Sequence, residues 1–441
     1  WTSGPADGIV YDVMAYTVFG PDVNPANDTL AQQTIVSTVG NWIQCASLPT
    51  PEECQATAYD PVNDHIYSFG GTPDGGNPTY HDFTYQYDPL TDTWATMTNM
   101  PHAVDWIDAS YVNGNFYIFG GFDGGSPYTY NMIYNVAGDS WSNGASMPIG
   151  RMAAGQVVYN DSLIYMLGGY NGSGPSSDVQ IYNVYTDAWT TGTALPQTNM
   201  MQGVAMTGDT IWLVGGYNGS AAYSTLYYGV INPGTCETIA WSTGSALPVA
   251  NFNNGATQLT RNGKWFLYMV GGFENAATIT NHAWEYDVEL DTWKALPDYS
   301  MTITRNDYLI GREGHAEIYV VGGDPTGAWA ATDQVWKLPL ELGIAEKPNQ
   351  SEPAFTFGFA SNFRNPVNGD ALISYVITRT SSVTLKVYDG SGRLVSTLVN
   401  NTQNPGTKTV TWNAQNLANG VYFVRLEAEG KVDNRKMILV K

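Results

Sequence analysis

Positive charge is missing from the first third of this chain: no Lys or Arg precedes Arg151. Charged residues make up only 13% of the sequence, about half the usual share. Solvent-facing positions must therefore fall largely to Ser, Thr, Asn, Gln, Gly and Tyr. Such surfaces lose little on desolvation and favour extended contacts. Residues 1–353 hold eight basic and 35 acidic side chains, a net of −27. Residues 354–441 hold ten and five, a net of +5. The acidic part argues against nucleic acid or an anionic membrane as its partner. An acidic and a basic module on one chain suggest electrostatic docking, within the chain or between neighbours.

Metal-binding and membrane signals are sparse too. Three cysteines (Cys45, Cys54, Cys236) and five scattered histidines (His65, His81, His102, His282, His315) give no zinc spacing. No run is long and apolar enough for a membrane-spanning helix. The chain starts at Trp1 without methionine, as expected after signal-peptide removal. Sequons at Asn27, Asn160, Asn171, Asn218, Asn349 and Asn400 would be glycan acceptors in a secreted glycoprotein.

What is abundant is repetition. Six times a short hydrophobic run ends in a double glycine: Gly70-Gly71, Gly120-Gly121, Gly168-Gly169, Gly215-Gly216, Gly271-Gly272 and Gly322-Gly323. The pairs lie about 50 residues apart, a period that marks a stacked or circular array. In five units a tryptophan follows (Trp94, Trp141, Trp189, Trp241, Trp293), then Met-Pro or Leu-Pro. Each unit reads as four short strands separated by turn residues.

The sixth unit reaches Gln334-Val335-Trp336 and lacks the last strand. An orphan copy of that strand, Trp42 through Pro49, precedes the first glycine pair. The repair is circular: the N-terminal segment supplies the outer strand of the last unit and removes the open edges. Cys45 and Cys54 flank the turn from that strand into the first unit. A disulfide there would fasten the closure, unless the strand-to-strand step holds the sulfurs apart.

The double glycine with its spaced Tyr and Trp resembles the kelch repeat, over residues 41–340. The resemblance implies an all-β fold, a six-bladed kelch-type β-propeller closed by an N-terminal strand. Residues 341–353 read as a linker. Residues 354–441 alternate as a small antiparallel Ig-like β-sandwich. Asn365-Pro366, Gly392-Arg393-Leu394-Val395, Gly420 to Leu426 and Lys436 to Lys441 resemble the C-terminal sorting domain of type IX secretion substrates, which is related to an Ig-like domain of a flagellar hook-capping protein. It departs at Asn365-Pro366-Val367-Asn368, where the family has Asn-Pro-Phe-Asn. That resemblance implies export across a bacterial outer membrane, to the medium or the cell surface.

Kelch propellers include enzymes and binding proteins, so the fold leaves function open. The steps between blades face the central funnel, and three residues after each inter-blade proline stand Glu52, Val104, Arg151, Asn199, Asn251 and Ser300. With Asp105 and Trp106, the residues Glu52, Arg151, Asn199 and Asn251 are the candidate funnel ligands for a polar molecule. Glu52, Asp105 and Arg151 also suit acid–base work. The loops after the glycine pairs, such as Asp123-Gly124-Gly125 and Asn171-Gly172-Ser173, fit turns first and calcium second. No other cofactor is expected.

Residues 1–40 exceed what closure needs. Ile9, Val10, Tyr11, Val13, Tyr16 and Val18 lie on a candidate strand that would add to a sheet edge, its own or a neighbour's. The leading expectation is a secreted protein that binds or assembles. It would be a subunit of a surface fibre, sheath or layer, through self-association or polysaccharide contacts. The alternative is a kelch-type sugar mutarotase or epimerase.

Overall fold

The structure, a computed structural model, describes residues 10–16, 29–35, 40–73, 79–275, 278–304, 309–340, 358–359, 370–377, 379–390, 392–403, 406–414 and 417–439. The expected linker 341–353 lies outside them. Among the described residues there is no helix. The chain divides into two units, Trp1–Glu346 and Lys347–Lys441.

The first unit carries six four-stranded antiparallel sheets; in five of them the strands follow in chain order, and the sixth takes its outer strand from the N-terminal segment. Blade 1 consists of Ala56–Asp60, His65–Phe69, Thr84–Asp88 and Thr93–Thr96. Apolar residues on both faces of the second strand let it sit between neighbouring blades, and Ile66 through Phe69 are all buried. The fourth strand is polar and outermost, with Trp94 half-buried between exposed neighbours. Blades 2 to 5 repeat this plan.

Blade 6 is Leu309–Arg312, Glu317–Val321, Val335–Pro339 and then Ile43–Cys45. The closing register is Val335↔Cys45, Trp336↔Gln44 and Lys337↔Ile43. Leu48 N–H donates to Asp333 O at 2.8 Å and extends the pairing. Trp42 packs edge-on against Tyr299, with centroids 4.9 Å apart, and its Nε1 donates to Pro297 O at 2.9 Å. On the first strand of blade 6, Arg312 forks onto Asp64 of blade 1, with Nε to Oδ1 at 2.8 Å. That bidentate pair, with the guanidinium largely buried and the carboxylate partly exposed, crosses the joint between the two ends of the ring.

The recurring tryptophans join blades. Trp94 Nε1 donates to Ala46 O, Trp141 to Thr98 O, Trp189 to Ala145 O and Trp293 to Ser245 O, at 2.7–3.0 Å. Each acceptor belongs to the segment that follows the fourth strand of the preceding blade. The tyrosine beside each tryptophan donates to an aspartate: Tyr87 to Asp92, Tyr134 to Asp139, Tyr182 to Asp187 and Tyr286 to Asp291. That aspartate also accepts a backbone N–H from the same preceding segment, as Asp92 does from Ala46 at 2.7 Å. In blade 4 the tyrosine position is Gly229, and Trp241 fills its place: a Cβ on Gly229 would meet the Trp241 ring at 2.6 Å.

Cys45 and Cys54 are not bridged. Cys45 sits in the outermost strand of blade 6, packed with Leu48, Ile66 and Tyr85. Cys54 packs against Trp106 and Ala153 from the next two blades, on the axial side. The short sequence separation spans the width of a blade, so the expected disulfide is corrected.

Val10–Tyr16 pairs in full with Thr29–Ile35, from Val10↔Ile35 to Tyr16↔Thr29. The candidate strand therefore has an antiparallel partner within its own segment. Ile9 and Val18 lie outside the described residues.

The second unit is a sandwich. One sheet holds Gly358–Phe359, Asp370–Ile377 and Gly406–Asn413, and the other holds Leu394–Gln403, Ser381–Asp389, Gly420–Ala428 and Lys431–Leu439, in those orders. Alternate residues point inward: Val383, Leu385, Val387, Val424 and Leu426 pack with Ile373, Tyr375 and Trp412.

Deleting residues 1–49 should remove the outer strand of blade 6, open a sheet edge and expose Val335 and Leu338. The expected result is aggregation, or a much lower and broader melting transition by differential scanning calorimetry. A truncated chain that melts cooperatively at the parent temperature would contradict the closure.

Candidate functional site

The funnel end of the propeller is built by one repeated seam. The second glycine of each pair donates its N–H to a carbonyl in the step into the following blade: Gly71 to Val104, Gly121 to Arg151, Gly169 to Asn199, Gly216 to Asn251, Gly272 to Ile303 and Gly323 to Glu52. These bonds run from 2.7 to 3.0 Å, and the last crosses the closure. Gly216 shows why the residue must be glycine: its φ is +108° and a Cβ would lie 2.0 Å from Asn199 Oδ1. The seam also corrects one alignment. The sixth junction residue is Ile303, not Ser300, because the step after Pro297 is three residues longer.

Below the seam lies a second belt. Cys54, Trp106, Ala153, Met201 and Asn253 all have φ between +52° and +58°. Trp106 N–H donates to Cys54 O, Ala153 to Trp106, Met201 to Ala153 and Asn253 to Met201, at 2.8–3.0 Å. Thr304 Oγ1 donates to Asn253 O at 3.3 Å. A left-handed backbone at a non-glycine residue costs about 1–2 kcal/mol. The belt sustains five such residues because each makes a bond to the next blade. Met152 and Met201 pack against Cys54, Trp106 and Ala153, so side chains from consecutive blades meet beneath the funnel.

Most of the candidate polar residues are committed to this framework. Arg151, with 1% exposure, donates to Gly168 O and Gly150 O, and its Nη2 lies 2.6 Å from Asp178 Oδ2. Burial lowers its pKa, with Asp178 opposing. Asn199 Nδ2 donates to Gly215 O at 3.0 Å and its Oδ1 accepts Tyr217 N–H at 3.0 Å. Asn251 Nδ2 donates to Gly271 O at 2.9 Å. All three occupy one repeat position and hold the carbonyl of the first glycine in their own blade. The structure makes them clamps.

Glu52 has the same position in blade 1 and is fully buried. His81 Nδ1 lies 2.6 Å from Glu52 Oε1, and Thr50 Oγ1 donates to the same oxygen at 2.9 Å. Burial pushes the Glu52 carboxyl up to about 8, eased by the Thr50 bond. Burial also lowers the His81 pKa, against a smaller opposing effect of Asp82. Both shifts disfavour the charged forms, so the contact is a short hydrogen bond more than an ion pair. Asp105 is 4% exposed, its Oδ1 has no hydrogen-bond partner, and burial plus the Glu53 charge raise it to about 8. Trp106 is 6% exposed and meets Trp329 edge-on at 6.2 Å.

The residue after each glycine pair pairs with the junction of its own blade: Thr72, Phe122, Tyr170, Tyr217, Phe273 and Asp324. Four of these six are aromatic and half-buried. Tyr217 stacks on Phe252 at 4.7 Å, and Phe252 on Phe273 at 5.2 Å. This aromatic rim is absent from the expected site. Its signal is present in the repeat as an aromatic directly after Gly-Gly. In the loops beyond, Asn171 Oδ1 accepts Ser173 and Gly174 N–H, and Asn218 Oδ1 accepts Ser220 and Ala221 N–H. Asp324 accepts from Thr326, Gly327 and Trp329. Those oxygens serve the turns. Among the described residues no group of three or more His, Cys, Asp and Glu could hold a metal ion.

Asn199→Ala should leave the Gly215 carbonyl unpartnered and take from the Tyr217 amide one of its two acceptors, with Met200 O remaining. The expected loss in chemical denaturation is roughly 1–3 kcal/mol. Full parental stability would refute the clamp role. The two raised carboxyls make a separate prediction. Folded Glu52 keeps its proton from its ordinary 4.5 up to about 8, and Asp105 from 3.8 up to about 8. The folded state thus binds more protons across that window, so stability falls as pH rises through it. Glu52→Gln and Asp105→Asn should flatten the decline in melting temperature between those values. An unchanged slope would show that neither group is held protonated.

Comparison with known proteins agrees with this geometry. The profile of the KLHDC2/KLHL20/DRC7 Kelch-repeats domain matches residues 14–200, and that of the secretion system C-terminal sorting domain matches residues 362–441. Kelch-like protein terF of Aspergillus terreus is 30% identical over 111 residues, 23% of this chain and 24% of that protein. The chain thus matches only about a quarter of that relative's length. The solved structure of YjhT has a TM-score of 0.54 at 17% identity, covering 66% of this chain and 95% of that one, a likeness of fold. The chain joins a kelch-repeat β-propeller to a C-terminal type IX secretion sorting domain, and is a protein exported to the bacterial cell surface or beyond.

Proposed function

We propose that this secreted protein acts by contact, as a subunit of an extracellular surface assembly that also offers its funnel rim to polysaccharide. The carrying observation is the commitment of Arg151, Asn199 and Asn251 to backbone carbonyls. What remains at the funnel mouth is aromatic: Tyr170, Tyr217, Phe252 and Phe273 are half-buried and present ring surface suited to a sugar's C–H face. Low charge over the whole chain suits extended contact as well.

One observation favours a second reading, conversion of a sugar. Glu52 paired with His81, and Asp105, are carboxyls held protonated near neutral pH, which suits general acid–base work. Their near-complete burial weighs against it, because a catalytic acid must reach its substrate.

Negative-stain microscopy of material from the cell surface and medium, with glycan-binding and sugar-turnover assays on the same fractions, separates the readings. Ordered polymers that bind polysaccharide without converting it are expected. Dispersed monomers that interconvert a free sugar would transfer the assignment to the enzyme.

A further inference from the structure

We propose that the outer face of the four-stranded sheet in the C-terminal module docks onto the turn end of the propeller of a second copy of this chain. The proposal rests on the assembly reading and assigns its surfaces.

The sheet face follows from register. Val383, Leu385 and Val387 point into the sandwich, so Lys386 and Tyr388 point out. Tyr388 pairs with Leu394 and Phe423, Lys386 with Arg425, and Phe423 with Lys436. Four large apolar side chains stand exposed on this face: Leu394 at 49%, Val421 at 37%, Phe423 at 41% and Val432 at 48%. Lys386, Arg425 and Lys436 lie among them, with Glu427 paired to Arg425 at 2.5 Å. One face thus combines apolar surface with a net positive charge, within a module that carries ten basic and five acidic residues.

The propeller offers the complement at the end opposite its funnel. Strands in each blade follow in antiparallel order, so the turns after the first and third strands share one end, away from the glycine pairs. Val62, Leu90, Tyr185 and Leu290 lie in these turns at 76%, 88%, 50% and 66% exposure. Asp92, Asp161, Asp187, Asp209, Asp291 and Glu313 are exposed or partly capped around them. Lys264, an exposed lysine at that end, is paired with Glu289 at 2.6 Å. Apolar surface rimmed by acid meets apolar surface rimmed by base, which fixes orientation as well as attraction. The contact joins two different surfaces of one chain, so it is heterologous and propagates from copy to copy.

Sedimentation velocity of the full chain at low and high salt tests this, with three proteins. The parent should self-associate with concentration, and high salt should slow its association. Lys386→Glu/Arg425→Glu/Lys436→Glu, on the exposed sheet face, should shift the association midpoint at least tenfold upward. Asp209→Lys/Glu313→Lys should do the same, and mixing the two variants should restore association. A parent that stays monomeric, variants that associate like the parent, or a mixture that fails to recover would each overturn the proposal. So would a monomeric parent that binds vesicles containing anionic lipid through the same three basic residues. Native polymers whose formation survives the triple reversal would keep the assembly reading and reject this contact alone.

Discussion

One hydrogen bond, repeated six times, organises the propeller: the amide of the second glycine in each pair to a carbonyl in the step into the following blade. Everything at the funnel end is arranged around it. The positive φ of the glycines lets the backbone turn there, and the absent Cβ lets the neighbouring blade approach. Arg151, Asn199 and Asn251 then take up the carbonyl of the first glycine, which the turn would otherwise leave buried and unpaired. The left-handed belt from Cys54 to Asn253 lies one step further in and transmits the same contact around the ring.

The rim of the ring uses a different device for the same end. Each Tyr-Asp-Trp set reaches back to the segment after the fourth strand of the preceding blade, so the outermost and least buried strands are held between neighbours. At the closure this device and the inner seam act on one short stretch of chain. Ala46 receives the Trp94 indole, and Glu52 O receives the Gly323 amide. Arg312 and Asp64 add a charged bond where the covalent chain does not continue. Three of the few basic residues in the acidic unit, Arg151, Arg261 and Arg312, are largely buried in such pairs. That leaves the surface of this unit dominated by acid.

The ring was legible in the sequence because the glycine pairs and tryptophans recur at fixed spacing, and because the orphan Trp42–Pro49 strand has only one place to go. The chemistry of the junction was legible by position and misleading in role. Arg151, Asn199 and Asn251 do share one site in the repeat, yet their partners are backbone carbonyls at Gly168, Gly215 and Gly271, and a residue's type does not reveal that its partner is backbone. The alignment slips at Ser300 because the longer step after Pro297 lets Tyr299 pack on Trp42. The Cys45–Cys54 bridge fails for a related reason: nearness in sequence at a blade junction is a full blade's width in space. The aromatic rim needed comparison of one column, the residue after Gly-Gly, across all six repeats.

Native-state hydrogen exchange of the six seam amides tests the central claim most directly. If the seam is the interaction on which the ring depends, the amides of Gly71, Gly121, Gly169, Gly216, Gly272 and Gly323 exchange together, and only through global unfolding. An amide among them that exchanges by local opening while its neighbours stay protected, Gly323 at the closure above all, would contradict it.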